Sequence, residues 1–312
     1  MFDARLLSVF REVATRGSFS EAAAALSFTQ PAVSQQIARL ERELGTRLLA
    51  RNARGVTPTP AGEVLLRHAE AVLAQLRQAE ADVQAVAGVE RPRLRVAAFA
   101  SAAASIMPPA LAELRAAHPA AELTMRIVEL PDSMELLRTG ELDLAIVIDS
   151  ELTPLDLPSD VEAVPLLDDP MLVALAYSHR LAGRSAVSLG DLRDEEWMTC
   201  GVSGTCPDSN VVLRACREAG FSPQVGFASD DYSAIQGMVA SGMGVALIPS
   251  LALVGAREDI AIRPLRDANP SRRVRAAIAK DRPSALADAL VEILRASGRD
   301  RRWAGRQLAA VA

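Results

Sequence analysis

Gln30, Ser34 and Gln35 carry the most suggestive chemistry in this 312-residue chain. A glutamine amide sets a donor beside an acceptor, the pair that matches an adenine edge, and a serine hydroxyl pairs with several bases. Pro31 and Ala32 add small apolar surfaces of the kind that rest against a thymine methyl. All five lie in Gln-Pro-Ala-Val-Ser-Gln, a run without an acid. Such a surface fits a major groove, while a helical hairpin packed in a core is the competing account of the same residues.

The flanking elements decide how those residues are presented. Ser18-Phe19-Ser20-Glu21 is a capping box that opens a short helix from about Phe19 to Leu26. Ser27-Phe28 makes a turn, Thr29 caps a second helix, and Pro31 falls in its first turn, where a missing N–H costs nothing. Val33, Ile37, Leu40 and Leu44 stack on one face that must be buried, leaving Pro31, Gln35, Ala38, Arg39 and Arg42 on the other. Gly45 ends the helix. An earlier helix, about Asp3 to Thr15, brings Leu6, Phe10, Val13 and Ala14 to the same core. After Gly45, Arg47–Arg51 and Val56–Pro58 flank a turn at Asn52–Gly55, which reads as a hairpin or wing.

Thr59 and Pro60 open a helix running to about Ala87, about 28 residues and about 42 Å long. Leu65, Ala69, Val72, Leu76, Ala79, Val83 and Val86 alternate spacings of four and three, an a/d seam. Pairing with a second copy through Leu65, Val72, Leu76 and Val83 follows from that seam; a helix lying on its own domain would show one stripe too. Residues 88–92 contain Gly and Pro without periodicity and form a hinge.

Beyond the hinge strands alternate with helices, which predicts a mostly parallel α/β sheet. Val164–Leu167 and Met171–Ala176 read as separate strands. In such sheets ligands sit beyond the carboxyl ends of strands. That rule selects the loop Ala100–Ala103, with Ser101, Ala102 and Ala103; Glu129; Asp149; the loop Gly201–Thr205, with Gly201, Ser203 and Thr205; and Ser229. Glu129 and Asp149 would oppose a multiply charged anion, so a neutral or amine-bearing ligand fits as well as an organic acid.

Composition narrows the function classes. The net charge is −5, yet residues 1–62 hold eight arginines against five acids, net +3, which leaves −8 for the rest. A basic head on an acidic body confines phosphate attraction to the head. No apolar run reaches the length of a membrane span, and the N-terminus, with Asp3 and Glu12 in an amphipathic pattern, is no secretory signal, which places the chain in the cytoplasm. Three cysteines argue against a disulfide framework. No Lys, Arg or His is near Cys200 or Cys206 in sequence to activate a thiol, which favours plain packing. His68, His118 and His179 lie in separate elements without metal-ligand spacing, and Gly242-Met243-Gly244 lacks the third glycine of a dinucleotide fingerprint. No catalytic residue, cofactor or metal is expected. Arg299, Arg301, Arg302 and Arg306 make a solvated basic tail.

Phe10, Val13-Ala14, Gly17-Ser18-Phe19-Ser20, Ala22-Ala23, Leu26, Gln30-Pro31-Ala32-Val33-Ser34, Gln36-Ile37, Leu40-Glu41, Leu44-Gly45, Leu48 and Arg51 together resemble the N-terminal winged helix-turn-helix of LysR-type transcriptional regulators. The likeness is nearly gapless over the first 62 residues; Leu49 stands where Phe is usual, and Pro58 where Leu is usual. Farther on, Gly140-Glu141-Leu142-Asp143-Leu144-Ala145-Ile146 and Gly242–Pro249 resemble, more loosely, that family's sensor domain. The resemblance implies an α/β protein with a winged helix-turn-helix (1–59), a linker helix (60–87), a hinge (88–92) and a two-lobed, periplasmic-binding-protein-like effector domain (93–312). Lobe I would be about 93–163 and 266–298, lobe II about 164–265.

By the same resemblance Gln30, Pro31, Ala32, Ser34 and Gln35 face bases, Ser18, Ser20, Arg51 and Arg54 hold the backbone, Arg54 also probing the neighbouring minor groove, and Arg39 is a further DNA contact. Implied partners are double-stranded DNA carrying an inverted repeat, a small-molecule effector between the lobes, further copies of the chain as a homodimer or homotetramer, and RNA polymerase, with no membrane. The alternatives are an enzyme built on the two-lobed body, a DNA-binding regulator with a vestigial cleft, and a cleft whose Cys200 and Cys206 sense redox state.

Overall fold

A computed structural model describes residues 3–52, 55–86, 91–150, 154–201 and 206–299. By packing, the chain divides into two compact units, Met1–Arg91 with Arg138–Glu141 and Pro92–Leu137 with Leu142–Ala312.

In the N-terminal unit, the Asp3 carboxylate accepts from the Arg5 amide at 2.9 Å and opens α1 (Ala4–Arg16). Ser18 Oγ accepts from the Glu21 amide at 3.3 Å at the start of α2 (Phe19–Ala25). Thr29 holds the N-cap position of α3 (Gln30–Leu44), but its side chain makes no capping bond, contrary to expectation. Pro31 and the Thr29 carbonyl, which accepts from the Val33 amide at 3.1 Å, set that start. Gly45 ends α3 at φ 68°.

Phe10, Val13, Val33, Ile37, Leu40 and Leu48 fill the core between the helices, each such buried side chain contributing roughly 1.5–3 kcal/mol. Leu44, expected on the buried face, is 36% exposed. It occupies the last turn of α3, beyond the reach of the core that covers Leu40.

The wing is β1 (Leu49–Asn52) paired antiparallel with β2 (Gly55–Pro58), with Asn52 opposite Gly55. Leu49 is buried, so the smaller residue still plugs its place. Thr59 caps α4 (Pro60–Val86) by accepting from the Gly62 amide at 3.1 Å while its hydroxyl donates to the Arg47 carbonyl at 2.8 Å. The α4 stripe divides. Leu65 packs half-buried on the head's core and Ala69 is fully buried, whereas Val72, Leu76 and Val83 are 41%, 45% and 68% exposed. The expected hinge at 88–92 lies outside the described residues except for Arg91 and Pro92.

The second unit runs β3 (Arg93–Ala98), α5 (Ala100–Ala104), α6 (Met107–Ala117), β4 (Glu122–Ile127), α7 (Asp132–Arg138), β5 (Leu144–Asp149), β6 (Val161–Ala176), β7 (Glu196–Thr199), α8 (Pro207–Glu218), β8 (Gln224–Ala228), α9 (Tyr232–Ala240), β9 (Ala246–Pro249), β10 (Ile260–Arg263), β11 (Ser271–Ala279) and α10 (Ala285–Arg299). The large sheet has the order β10-β6-β11-β5-β3-β4, with β9 also on β6. It is mixed, which corrects the mostly parallel sheet expected. β3 pairs parallel with β4 and β5, but β11 pairs antiparallel with β5 and with β6, and β6 pairs antiparallel with β9 and β10. Helical crossovers enforce parallel pairing; the described residues that lead into β6 and β11 form no helix and impose no such direction.

The two strands expected at 164–167 and 171–176 are one strand, β6. Its first part pairs with β11 as far as Pro170 and its second with β9 and β10, so partners change at Asp169–Met171. Side-chain alternation makes four core faces from this sheet. Leu94, Val96, Ile146, Ile148 and Val274 face one layer, and Ala97, Ala145, Val147 and Ala277 the opposite one. Along β6, Met171, Val173 and Leu175 face one layer of the second lobe while Leu172 and Ala174 face the other.

Candidate effector cavity and nucleic-acid interface

On α3, Gln30, Pro31, Gln35 and Arg39 are exposed and Ala32 and Ser34 half-buried, opposite the buried Val33, Ile37 and Leu40. Ser20 is exposed, while Ser18 is half-buried and its oxygen is engaged in the α2 cap. Arg39 Nε donates to Glu43 one turn on at 2.8 Å, and this bond raises the guanidinium pKa. Arg51 lies on β1 with its side chain outside the described residues, as is Arg54 altogether.

In the second unit a cavity of about 720 Å³ lies at the carboxyl ends of β3, β4 and β5. Phe99, Ala100 and Ser101 line it from the first strand, Val128–Pro131 from the second, and Ile146–Ile148 from the third; Cys200, Gly201, Cys206–Asp208, Asp230, Tyr232 and Arg272 close the other side. The size suits a small organic molecule.

Arg272 organises one wall. It is fully buried; Nε donates to Asp169 Oδ2 at 2.9 Å, Nη1 to Asp208 Oδ2 at 2.7 Å and Nη2 to Ser101 Oγ at 2.7 Å, and the guanidinium stacks 4.9 Å over the Phe99 ring. Asp169 also accepts from Ser250 Oγ at 2.6 Å and the Leu251 amide at 3.1 Å. Burial nevertheless raises its pKa, with Arg272 pulling the other way. Tyr232 donates to Asp208 Oδ2 at 2.7 Å, and burial raises its phenol, which stays neutral. Glu129 Oε1 accepts from the Ala100 amide at 3.2 Å; the residue as a whole keeps an exposed surface, yet partial desolvation of its carboxyl at the cavity wall lifts it above the usual range, helped by the charge of Asp208. Among the described residues, Glu129, Asp208 and Asp230 on the wall and Asp169 behind Arg272 outnumber the lining guanidinium, whose Nε, Nη1 and Nη2 each already donate to a partner.

Cys200 follows β7 and Cys206 precedes α8, and their sulfurs are 3.3 Å apart. Gly201 makes this possible: at φ +80° a Cβ there would sit 2.6 Å from the Cys206 Cβ. The Cys206 thiol is lowered by the hydrogen bond with Cys200 and by the Ser209 and Asp208 amides at the start of α8, while Cys200 is raised by its bond to Cys206 and by burial. The groups that shift these two thiols are each other and, for Cys206, the backbone amides that open α8. Cys216 is core, its thiol pushed up to about 12 by burial.

Of the expected ligand positions, Ser101, Glu129 and Gly201 line the cavity. Ala102 and Ala103 do not: Ala100–Ala104 is a helix, not a loop, and turns both methyls into the core. Asp149 is drawn aside by Arg273 at 2.8 Å and Arg275 at 3.1 Å on the neighbouring strand. Ser229 is absent from the wall, and its hydroxyl accepts from the Asp231 amide at 3.1 Å. Ser203 and Thr205 lie outside the described residues. Arg272, Asp208 and Tyr232 were missed, since reasoning from the carboxyl ends of strands does not reach the amino end of β11 or the side chains of a helix's first turn. Where no metal was expected, the fold brings Cys200, Cys206 and Asp208 within 4.8 Å of one another, a set spaced too widely in sequence to match a known ligand pattern.

Comparison with known proteins agrees with this layout. The family "Bacterial regulatory helix-turn-helix protein, lysR family" matches residues 4–63, and "LysR substrate binding domain" matches residues 87–299. The HTH-type transcriptional regulator AlsR of Bacillus subtilis is 31% identical over 248 residues, 80% of each chain. The small neutral protease regulatory protein of Streptomyces coelicolor is 35% identical over 272 residues, 84% of this chain and 82% of that one. The solved structure of a full-length OxyR variant from Pseudomonas aeruginosa superposes with a TM-score of 0.71 at 26% identity, over 95% of each chain. A winged helix-turn-helix followed by a two-lobed α/β body, matched over nearly its whole length, places this chain in the LysR family of transcriptional regulators.

Proposed function

We propose that the chain is a homo-oligomeric regulator that reads a duplex with α3 and answers to a small molecule held in the body's cavity. The observation that carries the reading is the division of α3: Val33, Ile37 and Leu40 fix the helix in the core, and the opposite surface offers Gln30, Pro31 and Gln35 to a groove. Ser18, Ser20, Arg51 and Arg54 hold the sugar–phosphate backbone, Arg54 also probing the neighbouring minor groove, and Arg39 is a further DNA contact. One helix reads few bases, so two copies related by a two-fold axis read an inverted repeat, and the exposed Val72, Leu76 and Val83 of α4 supply a surface for their pairing. Dimers or tetramers satisfy that requirement equally, with RNA polymerase a further contact.

The acidic wall favours a neutral or cationic effector. Relatives that are transcriptional regulators support regulation over catalysis. Among the described residues no helix is long and apolar enough to cross a membrane, in keeping with work beside the chromosome in the cytoplasm.

Gel-shift titrations of the full chain on its own promoter and on random DNA test the reading. Gln30→Ala should weaken binding to the specific site more than to random DNA, and equal losses on both refute base reading by α3.

A further inference from the structure

We propose that Cys200, Cys206 and Asp208 form a binding site for a divalent ion of the zinc class on the cavity wall. The proposal rests on the reading of this cavity as the regulatory site for its consequence, but the binding stands or falls by itself. The two sulfurs are 3.3 Å apart, and a carboxylate oxygen of Asp208 lies within 4.8 Å of both. A tetrahedral ion with bonds of about 2.3 Å to sulfur and about 2.0–2.2 Å to oxygen wants its ligand atoms about 3.5–3.8 Å apart. The sulfurs must therefore open slightly and the carboxylate close in, changes within reach of side-chain rotation.

A second observation points the same way. Asp208 is only 3% exposed, and while its Oδ2 accepts from Arg272 and Tyr232, its Oδ1 is buried with no hydrogen-bond partner. An orphaned carboxylate oxygen is costly to keep buried, and a bound cation would satisfy it. Glu129 and Asp230 add negative charge around the cavity, and Arg272, the opposing charge, is already engaged by Asp169 as well as Asp208.

Donor type selects the ion. Two sulfurs exclude magnesium and calcium, which take oxygen ligands, and the carboxylate makes the set suit zinc, cobalt or cadmium. Binding releases the two thiol protons to solvent and leaves both cysteines as thiolates. Three protein ligands leave one tetrahedral position open, and because all three residues line the cavity, water or a donor atom of an effector completes the shell.

The test uses the full chain, freed of metal and kept reduced with a phosphine, titrated with Co²⁺. One equivalent should bind with a strong thiolate-to-cobalt charge-transfer band, and Zn²⁺ should displace it. Cys200→Ser and Cys206→Ser should each lose the band and weaken Zn²⁺ binding by more than about tenfold, whereas Cys216→Ser should keep both. Circular dichroism melts establish that each variant is folded. Absence of the band in the folded, reduced chain overturns the site, as does a band that survives in Cys200→Ser and Cys206→Ser. Gel shifts with and without Zn²⁺ read the consequence separately: loss of DNA binding under all conditions strikes the regulator reading and leaves the cobalt titration standing.

Discussion

Arg272 Nη1 donates to Asp208 Oδ2 at 2.7 Å, joining β11 to the first turn of α8 across 64 residues of sequence. The same guanidinium holds Asp169 of β6 and Ser101 of α5, so one side chain ties four elements around the cavity. Its worth lies less in net attraction than in what its loss would leave behind, since two buried carboxylates depend on it.

Arg272→Met should therefore destabilise the chain by about 3–5 kcal/mol, measured by urea unfolding at neutral pH. The deficit should depend on pH. Burial already raises Asp169, and Arg272 is what pulls it down, so the variant raises it further. A carboxyl whose folded pKa exceeds its unfolded value stabilises the fold at low pH and loses that contribution as pH rises. The variant's deficit should accordingly shrink as pH falls through the raised Asp169 range; an equal deficit at both ends would show that lost packing on Phe99, not charge, is the cause.

Glu129→Gln tests the other raised carboxyl. In the wild type the folded state holds the Glu129 proton at a pH where the unfolded chain has released it, so stability declines as pH rises from the ordinary glutamate range through the raised one. Glutamine keeps an oxygen for the Ala100 amide and has no proton to lose. Thermal melts should show a flatter pH dependence for the variant over that window, with its advantage on the neutral side. Parallel curves would remove the desolvation argument.

The two halves of the α4 stripe should respond differently to substitution. Leu65 packs on the head's core, so Leu65→Ala should cost stability, by about 2 kcal/mol for a half-buried site, and leave assembly unchanged. Leu76 is exposed, so Leu76→Glu should leave the protomer's fold intact and lower its mass in sedimentation equilibrium. An undisturbed oligomer in Leu76→Glu would locate pairing elsewhere.

The parts of this molecule legible in sequence are those written locally. Val33, Ile37 and Leu40 announce a buried helix face because their spacing is the helix's own period, and Ser18 and Gly45 mark ends through bonds within a turn or two. Leu44 broke the pattern only because coverage is a tertiary fact. Ala100–Ala104 passed for a loop since five small residues carry no amphipathic signal and no side-chain cap. Asp149 satisfied the strand-end rule and still faces Arg273 and Arg275, whose strand arrives more than a hundred residues later. The cavity's central residues, Arg272 and Asp208, are defined by each other. Neither has a local signature.

The approach of Cys200 and Cys206 rests on a single backbone choice that can be removed. Gly201 adopts φ +80°, where an alanine costs about 1–2 kcal/mol, and the added Cβ would meet the Cys206 Cβ at 2.6 Å. Gly201→Ala should lower the melting temperature modestly and push α8's first residues away from Cys200. Mild oxidation of the metal-free chain with a diazene reports the sulfur separation directly, because a disulfide forms only when the two can close to about 2.05 Å. The wild type should lose two of its three titratable thiols to an intramolecular bond, and Gly201→Ala should do so at least about tenfold more slowly, since thiol exchange depends on access as well as on thiolate content. Equal rates in the two proteins would mean that the close pair of sulfurs does not depend on this glycine.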